Sequence, residues 1–192
     1  MYGDLLPVPA ARILETPHAA AIRLNGREMK FLATPGHARH HVAIFDTRSG
    51  HVFAGDVFGL SYREMDQDGR QFIIPTTSPA QFDPAPYHRS IDLILGMRPA
   101  AVYVTHYSQI RDIPAKAEVL HRLVDAQAEL GLREKDAGAA RPERLREGVK
   151  RMVLEEARRW GSRLADARIL EIYANDIELN AQGLSFWLDS LE

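Results

Sequence analysis

The sequence predicts an α+β protein, a mixed β-sheet flanked by helices and followed by a helical tail, and three observations predict it. Short β-favouring runs separated by turn residues fill the first third of the chain. An almost wholly apolar run, Ala100 to Thr105, lies between helical patterns and suits a buried strand. Apolar residues then recur at the helical period to the end of the sequence.

Each element is expected on its own signal. Val8 to Thr16 and Ala20 to Leu24 are expected to be extended. Asn25-Gly26 marks a tight hairpin turn, because a type I′ turn needs positive φ at both central residues. Glu28 to Ala33 is the return strand, ended by Thr34-Pro35-Gly36. Val42 to Asp46 and His51 to Ala54 form a second hairpin around Arg48-Ser49-Gly50. From Gly59 to Pro86 regular patterning fails, and long irregular connections are often functional. Tyr87 to Met97 reads as a helix with Ile91, Ile94 and Leu95 on one face, stopped by Pro99. Asp112 is a candidate N-cap, Pro114 falls in the first turn, and Gly131 is the expected stop of that helix. Residues 133–144 read as a solvated linker. Beyond it Leu145, Val149, Val153 and Trp160, then Ile169, Tyr173 and Ile177, then Leu184, Trp187 and Leu188 keep the helical period.

Composition narrows the chemistry. The 192 residues are 45% hydrophobic and contain no cysteine, so thiolate chemistry is excluded and any metal must be held by His, Asp or Glu. A net charge of −2 gives no global basic field, and no nucleic-acid partner is expected. No apolar run reaches the length of a membrane span, and Met1 to Pro7 lacks the charged and apolar regions of a leader. No membrane partner and a cytoplasmic location are the corresponding expectations.

Three places put a metal-capable side chain where a strand meets a loop: Thr34-Pro35-Gly36-His37-Ala38-Arg39-His40-His41, Phe53-Ala54-Gly55-Asp56, and Tyr103-Val104-Thr105-His106. Strand ends are stiff enough to hold ligands to the tolerance a metal demands. In order and spacing these runs resemble the third, fourth and fifth metal motifs of the metallo-β-lactamase superfamily, over roughly residues 20 to 110. The resemblance implies the C-terminal half of that superfamily's αββα sandwich. It implies metal ligation by His41, Asp56 and His106, with Asp56 bridging two ions and serving as the catalytic carboxylate. His37 is assigned a supporting hydrogen-bonding role and His40 that of a surface spacer. His18, His51, His88 and His121 are read as ordinary surface or half-buried residues.

By the same resemblance the function is that of a metal-dependent hydrolase, cleaving an ester- or thioester-type bond in an unidentified small molecule with a metal-activated hydroxide. Zinc is the expected metal, with iron or manganese as alternatives, and occupancy is expected to be partial or absent. The superfamily's His-x-His-x-Asp-His signature does not occur in the sequence. The expectation is therefore a partial domain over 1–132, with a helical extension over 133–192 packed on it. Such a chain would be incomplete or inactive alone, and would cover an exposed sheet face with a second copy or an N-terminal segment. The alternative is a non-catalytic scaffold derived from the fold. Phe58, Tyr62, Phe72 and Phe82 are candidates for a pocket wall, with packing beneath a loop as the competing role.

Overall fold

The computed structural model describes residues 6–77, 81–106 and 108–191. Met1 to Leu5, most of the segment inspected for a leader, lie outside them. Six strands form one mixed sheet in sequential order: β1 (Ala21–Leu24), β2 (Arg27–Ala33), β3 (Val42–Asp46), β4 (His51–Gly55), β5 (Ala101–Val104) and β6 (Ser108–Ile110). Neighbours pair antiparallel except β4 and β5, which run parallel and are joined by the long connection containing helix α1 (Pro84–Gly96). Four more helices follow: α2 (Ile113–Glu134), α3 (Arg141–Trp160), α4 (Asp166–Ile172) and α5 (Ala174–Asp189). This is the mixed-sheet, α+β architecture expected.

Local chemistry explains most of the boundaries. Asn25 and Gly26 sit at φ 49° and 76°, as the tight hairpin turn requires. The β3–β4 turn is held by Asp46, which is buried, paired with Arg27 and hydrogen-bonded by Ser49 Oγ at 2.6 Å. These partners keep the Asp46 carboxyl well below the usual carboxylate range. Helix α1 starts three residues earlier than the periodicity suggests. Asp83 caps it by accepting from the Ala85 N–H at 3.2 Å, and Pro84 fits the first turn, where no N–H is needed.

Three expected boundaries are corrected. Residues 8–16 form no strand and make only a 3-10 turn at Ala10–Arg12, since no neighbouring strand pairs with them. Helix α2 runs through Gly131 to Glu134, because the missing side chain there makes room for the Trp187 ring of α5. Residues 133–144 are accordingly not a linker: α2 ends within them and α3 begins at Arg141.

One face of the sheet carries the core. Leu32, Ala43, Val52, Val102 and Ile110 pack with Ile91 and Ile94 of α1, Leu120 and Val124 of α2, and Leu184 of α5 in one continuous cluster. Phe58, Phe72 and Phe82 are buried within it, which makes them core residues and not pocket wall. Phe72 meets Trp160 and Tyr173 edge-on, and Phe82 meets Tyr87 and Trp187 in the same way. The opposite face presents the cross-strand row Phe31, Ile44, Phe53 and Tyr103. Phe53 remains 44% exposed there and stacks on Tyr103 at 5.4 Å. Among the described residues no helix is long and apolar enough to cross a membrane.

Candidate functional site

Parallel pairing places the C-terminal ends of β4 and β5 at one edge of the sheet, and antiparallel β3 brings its own N-terminal end to the same edge. Asp56 follows β4 directly, His106 follows β5 by two residues, and the 34–41 loop leads into β3. Backbone bonds fasten these segments together. The Thr105 N–H donates to the Gly55 carbonyl at 3.2 Å, and the Thr34 N–H to the His41 carbonyl at 2.9 Å. Tyr87 of α1 adds a hydroxyl that donates to the Asp56 carbonyl at 3.3 Å.

The structure gathers His37, His41 and His106 around Asp56. His106 Nε2 lies 3.4 Å from Asp56 Oδ1, and His37 Nε2 lies 3.8 Å from Asp56 Oδ2. The His37 ring is fixed from behind by its Nδ1, which donates to the Thr76 carbonyl at 3.2 Å. His41 is bound at both nitrogens. Its Nδ1 is 2.8 Å from Thr34 Oγ1, and its Nε2 accepts the Asp56 backbone N–H at 3.1 Å. An Nε2 that accepts carries no proton, so the ring is neutral with its hydrogen on Nδ1. Burial, reinforced by His37 and His40, lowers the His41 pKa to about 4, against opposing contributions from Asp56 and Thr34. Gly55 permits this approach: at φ 58°, a Cβ there would lie 2.6 Å from His41 Nε2. His40 is exposed.

Asp56 Oδ1 is buried and has no hydrogen-bond partner. A buried carboxylate oxygen that accepts no hydrogen bond is uncommon, and a cation is one of the few occupants that offsets its desolvation. Imidazole and carboxylate donors suit zinc, iron or manganese. Donor type and the oxygen without a hydrogen bond therefore fit a metal ion. Donor number does not: among the described residues no set of three or more His, Cys, Asp or Glu is arranged to hold one, and His41 Nε2 is already engaged.

Sequence reasoning missed the contribution of α5. Tyr62 Oη donates to both oxygens of Asp176, at 3.2 and 3.0 Å. Burial raises the Asp176 pKa, opposed by the Tyr62 hydrogen bond and by the charge of nearby His106. Asn180, one turn further, accepts the Thr77 N–H at 2.5 Å and so fixes the strip whose Thr76 carbonyl holds His37. The available signal was two polar residues, Asp176 and Asn180, on a helix face otherwise marked by Ile177, Ala181 and Leu184.

Known proteins agree with this architecture. No protein-family model matches the chain. The metallo-β-lactamase fold-containing protein ST1585 of Sulfurisphaera tokodaii is 28% identical over 107 residues, which are 55% of this chain and 37% of the relative. The crystal structure of an archaeal metallo-β-lactamase superfamily protein, ST1585 from Sulfolobus tokodaii, superposes with a TM-score of 0.51 at 21% identity, covering 96% of this chain and 56% of that one. The metallo-β-lactamase family protein TTHA1429 from Thermus thermophilus gives 0.54 at 19% identity, over 91% of this chain and 48% of its own. The chain thus spans about half the length of these structures, and the match covers just over a third of the curated relative. In its motifs, in its likeness to an archaeal relative and in its architecture, the chain resembles the metallo-β-lactamase superfamily and has the fold of about half of such a protein.

Proposed function

We propose that Asp56, His106 and His41 form part of a metallohydrolase centre that cleaves an ester- or thioester-type bond in a small molecule. The observation that carries the proposal is the buried Asp56 Oδ1, which accepts no hydrogen bond and has the His106 ring nitrogen 3.4 Å away. Asp56 presents that oxygen from a stiff strand end, and His106 faces it from the neighbouring parallel strand. His37, anchored by Thr76, keeps its Nε2 towards the second carboxylate oxygen. His41 is the most costly ligand, because binding a cation would require it to give up the hydrogen bond from the Asp56 amide, worth about 1 kcal/mol. A bound zinc, iron or manganese ion would supply Lewis acidity and lower the proton affinity of a coordinated water. Further donors from outside the described cluster would complete the centre.

Metal analysis of protein purified without chelators, alongside zinc titration of the wild type and of Asp56→Ala, His106→Ala and His41→Ala, tests this reading. Zinc binding should fall at least tenfold in the first two variants. Equal binding in all four proteins would reject the assignment. A second reading, a scaffold without chemistry, is favoured by the engaged His41 Nε2 and the absence of a three-donor set among the described residues. Wild type that binds no zinc and hydrolyses no nitrophenyl ester or thioester would support the scaffold.

A further inference from the structure

Away from this cluster, four side chains of α1 and α2 form one unbroken hydrogen-bonded chain. Asp125 Oδ1 lies 2.8 Å from His88 Nε2, His88 Nδ1 lies 2.6 Å from His121 Nδ1, and His121 Nε2 lies 3.0 Å from Asp92 Oδ1. His88 and Asp92 are one turn apart on α1, as His121 and Asp125 are on α2, so the chain crosses the helix interface at each link. The ring centroids are 4.9 Å apart and the planes differ by only 9°. That separation equals the nitrogen–nitrogen distance plus one ring radius at each end. The rings therefore meet edge to edge in a common plane, Nδ1 aimed at Nδ1, and do not stack face on face.

Proton counting then decides what the chain contains. An ionised carboxylate only accepts, so each Nε2 must carry a hydrogen. Two bare Nδ1 lone pairs at 2.6 Å would repel, so one hydrogen must lie between them. Three links need three ring protons, whereas two neutral imidazoles carry two. We propose that His88 and His121 share this third proton. The pair is then one monocation clasped between Asp92 and Asp125, and it fastens α1 to α2 by a link that is lost as pH rises. A zinc ion needs about 2.0–2.1 Å to each imidazole nitrogen, so the gap admits a proton in line and not a metal.

The surroundings favour a cation. Besides Asp92, the charged groups nearby are Glu118, Asp125 and Glu129 of α2, which line a groove with His121, and Arg122, which is occupied there by Glu156 of α3 at 2.8 Å. Arg89, next to His88 on α1, is exposed. The two imidazole side chains are 26% and 28% exposed, so the proton exchanges with solvent. The clasp also reaches the candidate centre. Its neighbours on α1 are Tyr87, bonded to the Asp56 carbonyl, and Ser90, whose hydroxyl donates to the Pro35 carbonyl at 2.6 Å.

Nitrogen NMR of the full chain, labelled at histidine and recorded near neutral pH, reads the protons directly. The expected result is both Nε2 atoms protonated and one proton divided between the two Nδ1 atoms. Only two ring protons on the pair, or a zinc-induced shift of both Nδ1 signals, would overturn the proposal. Denaturation against pH supplies the second readout. Wild type should lose stability as the shared proton leaves with rising pH, while His121→Asn, whose amide donates without titrating, should show a flattened profile. Asp92→Asn should move the loss of the third proton to lower pH. If that loss stays unmoved, or the His121→Asn profile matches wild type, the clasp is refuted.

Discussion

At the scale of single residues, Asp176 and Gly55 make opposite points about the site. Asp176 is a buried carboxyl whose pKa is raised above its unfolded value. Its contribution to stability is complete below the unfolded value and is lost as pH climbs through the folded one, since ionisation is easier in the unfolded chain. Asp176→Asn keeps an acceptor for Tyr62 and removes the ionisation. Melting temperatures across pH should show the variant more stable at neutral pH, with the gap closing on acidification. Gly55 holds a left-handed backbone against the His41 ring. Gly55→Ala should destabilise by about 1–3 kcal/mol in urea unfolding, through both the backbone strain and the displaced imidazole. Neither effect was legible beforehand. Asp176 is far from His106 in sequence, and a glycine before an aspartate reads as an ordinary turn.

At the scale of elements, legibility followed how local each signal was. The β1–β2 turn, β3 and β4 were readable because a two-residue turn and an alternating run carry their own register. The ends of α2 and the fate of residues 8–16 were not, because both depend on partners. Trp187 comes from another helix to cover Gly131, and no strand comes to pair with Val8 to Thr16. The His88–His121 contact was hidden for the same reason: it needs the relative register of α1 and α2, which no single helical period encodes. Helix α5 offers a direct test of element-level coupling. Asn180→Ala leaves the Thr77 N–H without its acceptor in a buried setting, and should lower stability by about 1–3 kcal/mol. Hydrogen exchange at Thr77 should accelerate, and the His37 ring should lose its fixed orientation. Unchanged exchange there would show that the strip is held by other means.

At the scale of the whole molecule, the motif positions were the most legible feature, because a strand end fixes a side chain whatever surrounds it. His41, Asp56 and His106 were named from three short runs, and the structure brings them to one sheet edge. What surrounds them was less legible, since Phe58, Phe72 and Phe82 went to the core while the row Phe31, Ile44, Phe53 and Tyr103 was left on the opposite face. A partly exposed apolar row across four strands favours association. Sedimentation at rising concentration should detect a dimer, and Phe53→Lys should return it to monomer. A wild type that sediments as a monomer at every concentration would argue against that face as an interface.

The dependence of Thr77 on Asn180 also orders events during synthesis. His37, His41, Asp56 and His106 all leave the ribosome before α5 does. The carbonyl that steadies His37 finds its anchor only when that last helix emerges and docks. A nascent chain stalled ahead of Asn180 would therefore display the whole cluster and lack the brace that aims His37.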